Sequence, residues 1–420
     1  MELSKKSFFG AAVGTTIEYY DYALMSIFLP VLSPLFFPAD TIYQSLVKGY
    51  FILLIGMLVR PLGGIAFGYL GDTLGRRKAL LASMYGIAIA TLAIGLMPGF
   101  AVWGVWSSIL IIIAKSIQMF CFGGEFNGAG IYVVEHAQNR GESLASSWLA
   151  AMMLAGSLIA SLLGILFTAK FMPEWSWRIA FVLGSFIGIF GIFYRKDLAE
   201  SPAFTAADLK IQNFRNMVKQ YGTELLAGIF IGGYATLLYT TVLIFINPVR
   251  MAKGHINSHQ LMIQQTLLLL IAVTALIISG KLADKYSPKK IMQWSSLILI
   301  VFAYPLLTLI DAGHALFFSM AVLIILNEMV LAPANAYLKN LFAPSYRYRA
   351  SSLSFCLGLA LIGGMTPIIE NYLYQITGHF QTIAIWPISI ALAMYLTLFW
   401  VHKKQKSSSI EAMVTYGKLL

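Results

Sequence analysis

The strongest constraint on this chain is its near-unbroken succession of apolar stretches, each close to the roughly 20 residues a helix needs to cross about 30 Å of hydrocarbon. Between charged or turn-rich breaks they fall near 8–33, 47–70, 78–98, 101–127, 143–169 and 177–195. They resume near 222–247, 258–283, 289–311, 315–338, 350–373 and 382–401. The runs are continuous rather than alternating, the helical way of satisfying backbone groups inside lipid, which disfavours a strand-built barrel. With 59% apolar and only 11% charged residues, the chain has too little polar surface for a soluble domain. The expected fold class is an all-α membrane protein with twelve transmembrane helices.

The one long polar interval, 196–221, separates two sets of six spans. It predicts an N-terminal six-helix bundle over 1–195, a linker over 196–221, and a second bundle over 222–420 ending in a short tail. The basic start MELSKKSFFG precedes an apolar run that carries Glu18 and Asp21 and has no small-residue cleavage site, so a retained first helix is expected.

The net charge of +11 sits in short clusters between apolar runs, not along one basic surface. It reads as topology, and no nucleic-acid partner is expected. Of the 29 Lys and Arg residues, 22 fall on one side of the expected spans. The opposite side keeps Lys48, Lys170, Arg178, Arg250 and Lys253, while Arg60 and Lys115 lie within spans. The positive-inside rule then places both termini in the cytoplasm of a multi-pass cell-membrane protein embedded in lipid.

Cys121 and Cys356 both lie in apolar segments, with no CxxC and no His at metal-ligand spacing. Neither a disulfide framework nor a metal or cofactor site is expected. The sequence contains no HExxH, GxSxG or Walker-type GxxxxGK[ST] pattern, which argues against an enzyme and against a self-contained ATP-driven pump.

An internal repeat is more informative. GYLGDTLGRRK at 68–78 and GKLADKYSPKK at 280–290 align without gaps, pairing Gly68 with Gly280, Leu70 with Leu282, Asp72 with Asp284 and Lys78 with Lys290. Each copy follows the second span of its half. Duplicated six-helix halves suit a transporter in which one half rocks against the other around a central site.

At these residues the chain resembles the major facilitator superfamily, whose corresponding loop reads roughly G-x-L-x-D-x-x-G-R-R/K-K. Gly68, Asp72, Gly75, Arg76, Arg77 and Lys78 fit it; Thr73 departs from it, as do Ser287 and Pro288 in the second copy. A narrower resemblance is to the metabolite:proton symporter branch that includes proline/betaine, citrate and 2-oxoglutarate transporters. It is carried by GTTIEYYDY at 14–22, RPLGGIAFGYLGD at 60–72, GGEFNGAGIYVVEHA at 123–137, WSWRIAF at 175–181 and ESPAF at 200–204. Lys115, Gln118 and Met119 stand where relatives usually show Arg-x-x-Gln-Gly, which trades a bidentate fork for a point charge, and Tyr19 replaces a common Trp. The resemblance implies alternating access by a monomer, with the loop acting as a cytoplasmic gate that involves Asp72, Arg76, Arg77 and Asp284. Glu125, between Gly124 and Gly128, is expected to join that gate.

Ionisable residues at membrane depth are costly and therefore informative. Glu18 and Asp21 lie three apart on one helical face, with Tyr22 one turn from Glu18, and that face is expected to look into the central cavity. The two acids are candidates for proton coupling. Arg60, Lys115, Gln118, Tyr22 and Glu328 are the candidate substrate-binding residues, the two cations for a carboxylate and Glu328 for a cationic group. For the cations, neutralising Asp21 and Glu125 is an equal reading. Asp311 and Glu370 are expected near the outer ends, within reach of water. The leading expectation is proton-coupled symport of a small organic acid or zwitterion. An exporter of a drug or metal-chelating carboxylate, and a receptor without net transport, are the alternatives.

Overall fold

The computed structural model describes residues 5–74, 76–123, 141–195 and 214–417; at some helical positions, including Glu18, 71–74 and 76–80, the description covers the backbone alone. Among the described residues the chain is helical throughout, without strands. The first six long helices are α1 (Lys5–Phe36), α2 (Ile42–Leu74), α3 (Arg76–Leu96), α4 (Val105–Gly123), α5 (Glu142–Phe167) and α6 (Trp177–Arg195). The second six are α7 (Phe214–Tyr239), α8 (Ser258–Tyr286), α9 (Pro288–Asp311), α10 (Leu316–Leu331), α11 (Pro344–Gly358) and α12 (Ile385–Gly417). Nine described helices are long and apolar enough to cross a membrane, and Leu81–Leu96 and Trp177–Phe190 are shorter apolar helices.

Several spans are longer than one regular helix. After α7 the chain continues through a π-helical turn, Thr240–Ile246, into Asn247–Ala252, and α11 continues through a second π turn, Leu359–Gly363, into Thr366–Thr377. α10 is extended by Ala334–Leu341, and a 3-10 turn, Phe380–Ala384, leads into α12. π turns insert an extra residue and re-aim the side chains beyond them. Helix α7 already begins at Phe214, inside the polar interval, but its geometry breaks at Tyr221 (φ −116°, ψ 24°), where that interval meets the apolar run. Residues 196–213 of the expected linker lie outside the described residues.

In the first set α1 packs on α5, α2 on α4 and α3 on α6; in the second, α7 packs on α11 and α12, and α8 on α10. The two sets meet most extensively where α5 lies along α8. Lipid tails are as apolar as Leu, so helices gain by close packing, and small residues permit it. A Cβ at Gly156 of α5 would collide with Thr16 O and Tyr20 N of α1. At the equivalent crossing a Cβ at Gly358 of α11 would collide with Ile229 O and come within 2.6 Å of Gly233 N of α7. Gly63 and Gly123 press the backbones of α2 and α4 together in the same way.

Such a crossing cannot accept a branched side chain without separating the helices. Gly358→Val is expected to destabilise the purified protein by about 1–3 kcal/mol, the usual range for overpacking. Thermal unfolding in detergent checks this, with Gly222→Ala as a control expected to be neutral, because a Cβ there meets nothing within 4 Å.

Candidate functional site

A central cavity of about 100 Å³ lies between the two sets of helices. Tyr22 of α1, Arg60 of α2 and Lys115 of α4 line one wall, and Tyr239, Asn327 and Glu328 line the other. Arg60 and Lys115 are 3% and 2% exposed, so both cations sit fully inside the bundle. The Arg60 guanidinium lies 4.7 Å from the Phe122 ring centre and 5.8 Å from that of Tyr22, and Lys115 Nζ lies 5.5 Å from the Tyr22 ring. Tyr22 and Phe122 stack at 5.1 Å, with Tyr19 edge-on to Phe122 at 5.2 Å. Aromatic faces attract desolvated cations, so this cluster stabilises charges that hydrocarbon would reject.

Behind the wall a polar chain ties the cations to α1. Lys115 Nζ donates to Gln118 Oε1 at 2.7 Å, and Gln118 Nε2 donates to Thr91 Oγ1 at 2.8 Å and to the Asp21 backbone carbonyl at 3.3 Å. Gln118 therefore supports Lys115 and is not among the cavity-lining residues. The Asp21 side chain is 1% exposed and points away from the cavity, towards α6, where its Oδ1 and Oδ2 face the gaps left by Gly184 and Gly188. Lys115 is within electrostatic reach of it. The expectation that Glu18, Asp21 and Tyr22 share a cavity-facing side is thus corrected for Asp21. Adjacent helical residues diverge by about 100°, so Tyr22 looks inward where Asp21 does not, and the Glu18 side chain lies outside the described residues.

On the facing wall Asn327 straps α10 to α7. Its Oδ1 accepts from Leu238 N and Tyr239 N at 3.2 and 3.3 Å, and its Nδ2 donates to Ala235 O at 2.9 Å. The strap lands just before the π turn at Thr240. Glu328 is fully buried: Oε1 accepts from Asn327 Nδ2 at 3.2 Å, and Oε2 has no hydrogen-bond partner among the described residues. The cavity thus carries cations on one wall and a carboxyl on the other.

At the face bearing the 280–290 loop, the two oxygens of Asp284 accept from Ser143 N at 2.8 Å and Leu144 N at 3.0 Å at the start of α5. Helix N-termini present unpaired N–H groups that favour an anion. Lys339 and Glu142 form an ion pair at 2.7 Å beside it. The side chains of Asp72, Arg76 and Arg77, and all of Glu125, lie outside the described residues. At the opposite face Tyr43 OH donates to Asn371 Oδ1 at 2.6 Å, joining α2 to Thr366–Thr377. Glu370, expected near water, is instead fully buried there. Asp311 does lie near the surface, 2.7 Å from His379.

Sequence reasoning passed over Thr91, Gly184 and Gly188. The four-residue spacing of the two glycines is a close-packing signal that could have flagged the place where α6 admits a polar group from α1.

Residues 8–225 match the family model described as sugar (and other) transporter, and residues 229–414 match that of the major facilitator superfamily. A putative proline/betaine transporter of Staphylococcus haemolyticus (strain JCSC1435) is 26% identical over 422 residues, covering 98% of this chain and 90% of its own. The proline/betaine transporter of Escherichia coli (strain K12) is 26% identical over 420 residues, covering 94% and 82%. Among solved structures, a D-xylose-proton symporter superposes with TM-score 0.75 at 16% identity, covering 92% of this chain and 96% of its own. The fucose:proton symporter of E. coli gives TM-score 0.67 at 13% identity, covering 94% and 98%. The spanning helices, the repeated loop and the central cavity fit these matches, and they describe a multi-pass protein of the cell membrane that is a transporter, not an enzyme. The chain belongs to the sugar (and other) transporter family and has the twelve-helix fold of the major facilitator superfamily.

Proposed function

We propose that this protein is a secondary transporter that carries a small zwitterionic metabolite together with protons, as a monomer, by alternating access. The observation that carries the reading is the division of charge across the cavity, with Arg60 and Lys115 on one wall and Glu328 on the other. A carboxylate suits the cations and an ammonium-type group suits Glu328, so a molecule bearing both leaves neither wall uncompensated. The names of the proline/betaine and proton-symporter relatives are consistent with that chemistry.

Coupling follows from the position of Asp21 behind Lys115. An ionised Asp21 compensates Lys115 electrostatically. Protonating Asp21 removes that compensation and leaves Lys115 needing an anion, so proton binding favours substrate binding. The Lys115–Gln118 hydrogen bond holds the ammonium in the wall throughout. Bundles 1–195 and 222–420, joined by the 196–221 linker, are the moving parts. The Asp284 contact with the α5 start latches them at the face assigned to the cytoplasm, with Asp72, Arg76, Arg77 and Glu125 as further gate residues and Glu18 as a second acid on α1.

Three outcomes are expected. In proteoliposomes with an imposed pH gradient, wild-type protein should accumulate a zwitterionic osmolyte. Asp21→Asn should lose accumulation yet keep substrate exchange, and full gradient-driven accumulation by this variant would refute the coupling role. Arg60→Gln and Lys115→Gln should each weaken binding of a carboxylate ligand by about tenfold or more, since a charge-assisted hydrogen bond contributes about 1.5–3 kcal/mol. Its neutral amide should be affected less; equal losses for both ligands would mean that the cations are only structural. For topology, single cysteines replacing Asp40, Lys219 and Gln405 should be labelled from outside only at 40, and outside labelling at 219 or 405 would reverse the orientation.

A further inference from the structure

Glu370 belongs to neither the cavity nor the loop gate. It lies on Thr366–Thr377, with its side chain fully buried against the π turn of Thr240–Ile246 and against α2. Oε2 has no hydrogen-bond partner among the described residues, and nor has the hydroxyl of Tyr50, a fully buried α2 side chain within electrostatic reach of Glu370. No described Lys, Arg or His forms an ion pair with Glu370.

Its other oxygen is held by Thr241 of the π turn. Thr241 Oγ1 lies 2.9 Å from the Leu237 carbonyl oxygen and 2.6 Å from Glu370 Oε1. A hydroxyl has one hydrogen, and a backbone carbonyl only accepts. A single hydroxyl hydrogen shared between the two serves an ionised carboxylate poorly, whereas a protonated acid can itself donate to Thr241 while Thr241 donates to Leu237. An ionised carboxylate here would have one oxygen bare in an apolar surround, an arrangement too costly to persist without a cation.

The groups around it supply no such cation. From α2 come Tyr43, bound to Asn371, and Tyr50, while Lys48 is exposed and donates to the Pro38 carbonyl; the π turn contributes no ionisable residue. Just beyond that turn, Arg250 is directed to Asn247 and Gln264, and Lys253 sits 4.6 Å over the Tyr374 ring. His379, before the 3-10 turn, pairs with Asp311, and α12 presents Trp386, which donates to Thr366.

We propose that Glu370 is a second proton-binding site, protonated while the face joined by Tyr43 and Asn371 is closed and ionised when that face opens. Separating α2 from Thr366–Thr377 removes Tyr43 and Tyr50 and admits water to the carboxyl. Its proton then leaves to that water, and the resulting carboxylate is solvated. Closure requires the proton to return, so acid on that side favours the closed face. The inference stands on Glu370 and Thr241 and does not rest on the role given to Asp21.

The test reads conformation without transport. Spin labels at Gln44→Cys and Ala312→Cys, both exposed at that face, report its opening by pulsed dipolar distance measurement in purified full-length protein. The experiment is run in wild-type and Asp21→Asn backgrounds. Raising the pH should increase the long-distance population several-fold in both. Glu370→Gln, a permanent mimic of the neutral acid, should hold the short distance at every pH. A pH response unchanged in Glu370→Gln overturns the proposal, as does one abolished by Asp21→Asn alone. Should Glu370→Gln not fold, infrared spectroscopy of the closed protein at low pH decides: a protonated-carboxyl C=O band that shifts in Thr241→Val protein is expected, and an unshifted spectrum overturns the assignment.

Discussion

Burying Arg60 and Lys115 side by side in a lipid-embedded bundle is the arrangement to which the rest of the first six helices is fitted. A cation at that depth is costly unless its surroundings replace water. Three aromatic rings and the Gln118 amide do so together, with the Asp21 carboxyl behind them, and each comes from a different position on α1 or α4. Phe122 of α4 reaches Arg60 of α2 because the two helices touch backbone to backbone at Gly63 and Gly123. The glycines therefore act on the site at one remove, by setting the distance over which the cations are compensated.

The second six helices face a different problem, an excess of buried acid. Glu328 and Glu370 are both inaccessible, and each is held through one oxygen by a neighbour that also bonds backbone, Asn327 in one case and Thr241 in the other. Both neighbours meet α7 around its change to π spacing. There the hydrogen-bond register shifts, and side chains re-aimed by the extra residue meet those from α10 and from the continuation of α11.

The sequence makes the architecture legible because the bilayer tolerates so few solutions. Continuous apolar runs, lysine and arginine asymmetry and the duplicated loop all bear on the same twelve-helix arrangement. It also makes the identity of the buried charges legible, since Arg60, Lys115, Asp21 and Glu328 stand out against apolar neighbours. Where those charges point was not readable. Asp21 turns to α6 because Gly184 and Gly188 leave room there, a fact of pairing between distant helices that periodicity along α1 does not encode. Glu370 looks peripheral by count along its span, yet the π turns at Thr240–Ile246 and Leu359–Gly363 and the approach of α2 enclose it. A change from α to π spacing leaves the apolar composition unaltered, so hydropathy gives no sign of it.

The Asp284 contact with the start of α5 has an unequal evolutionary exposure. Its acceptor is a single side chain, but its donors are the peptide N–H groups of Ser143 and Leu144. Every residue except proline supplies such a group. The contact itself therefore asks nothing of the side chain at 143 or 144, although burial keeps Ser143 small, whereas one substitution at 284 removes both bonds. Selection on this contact falls on one codon on the acceptor side and, on the donor side, on where the helix begins.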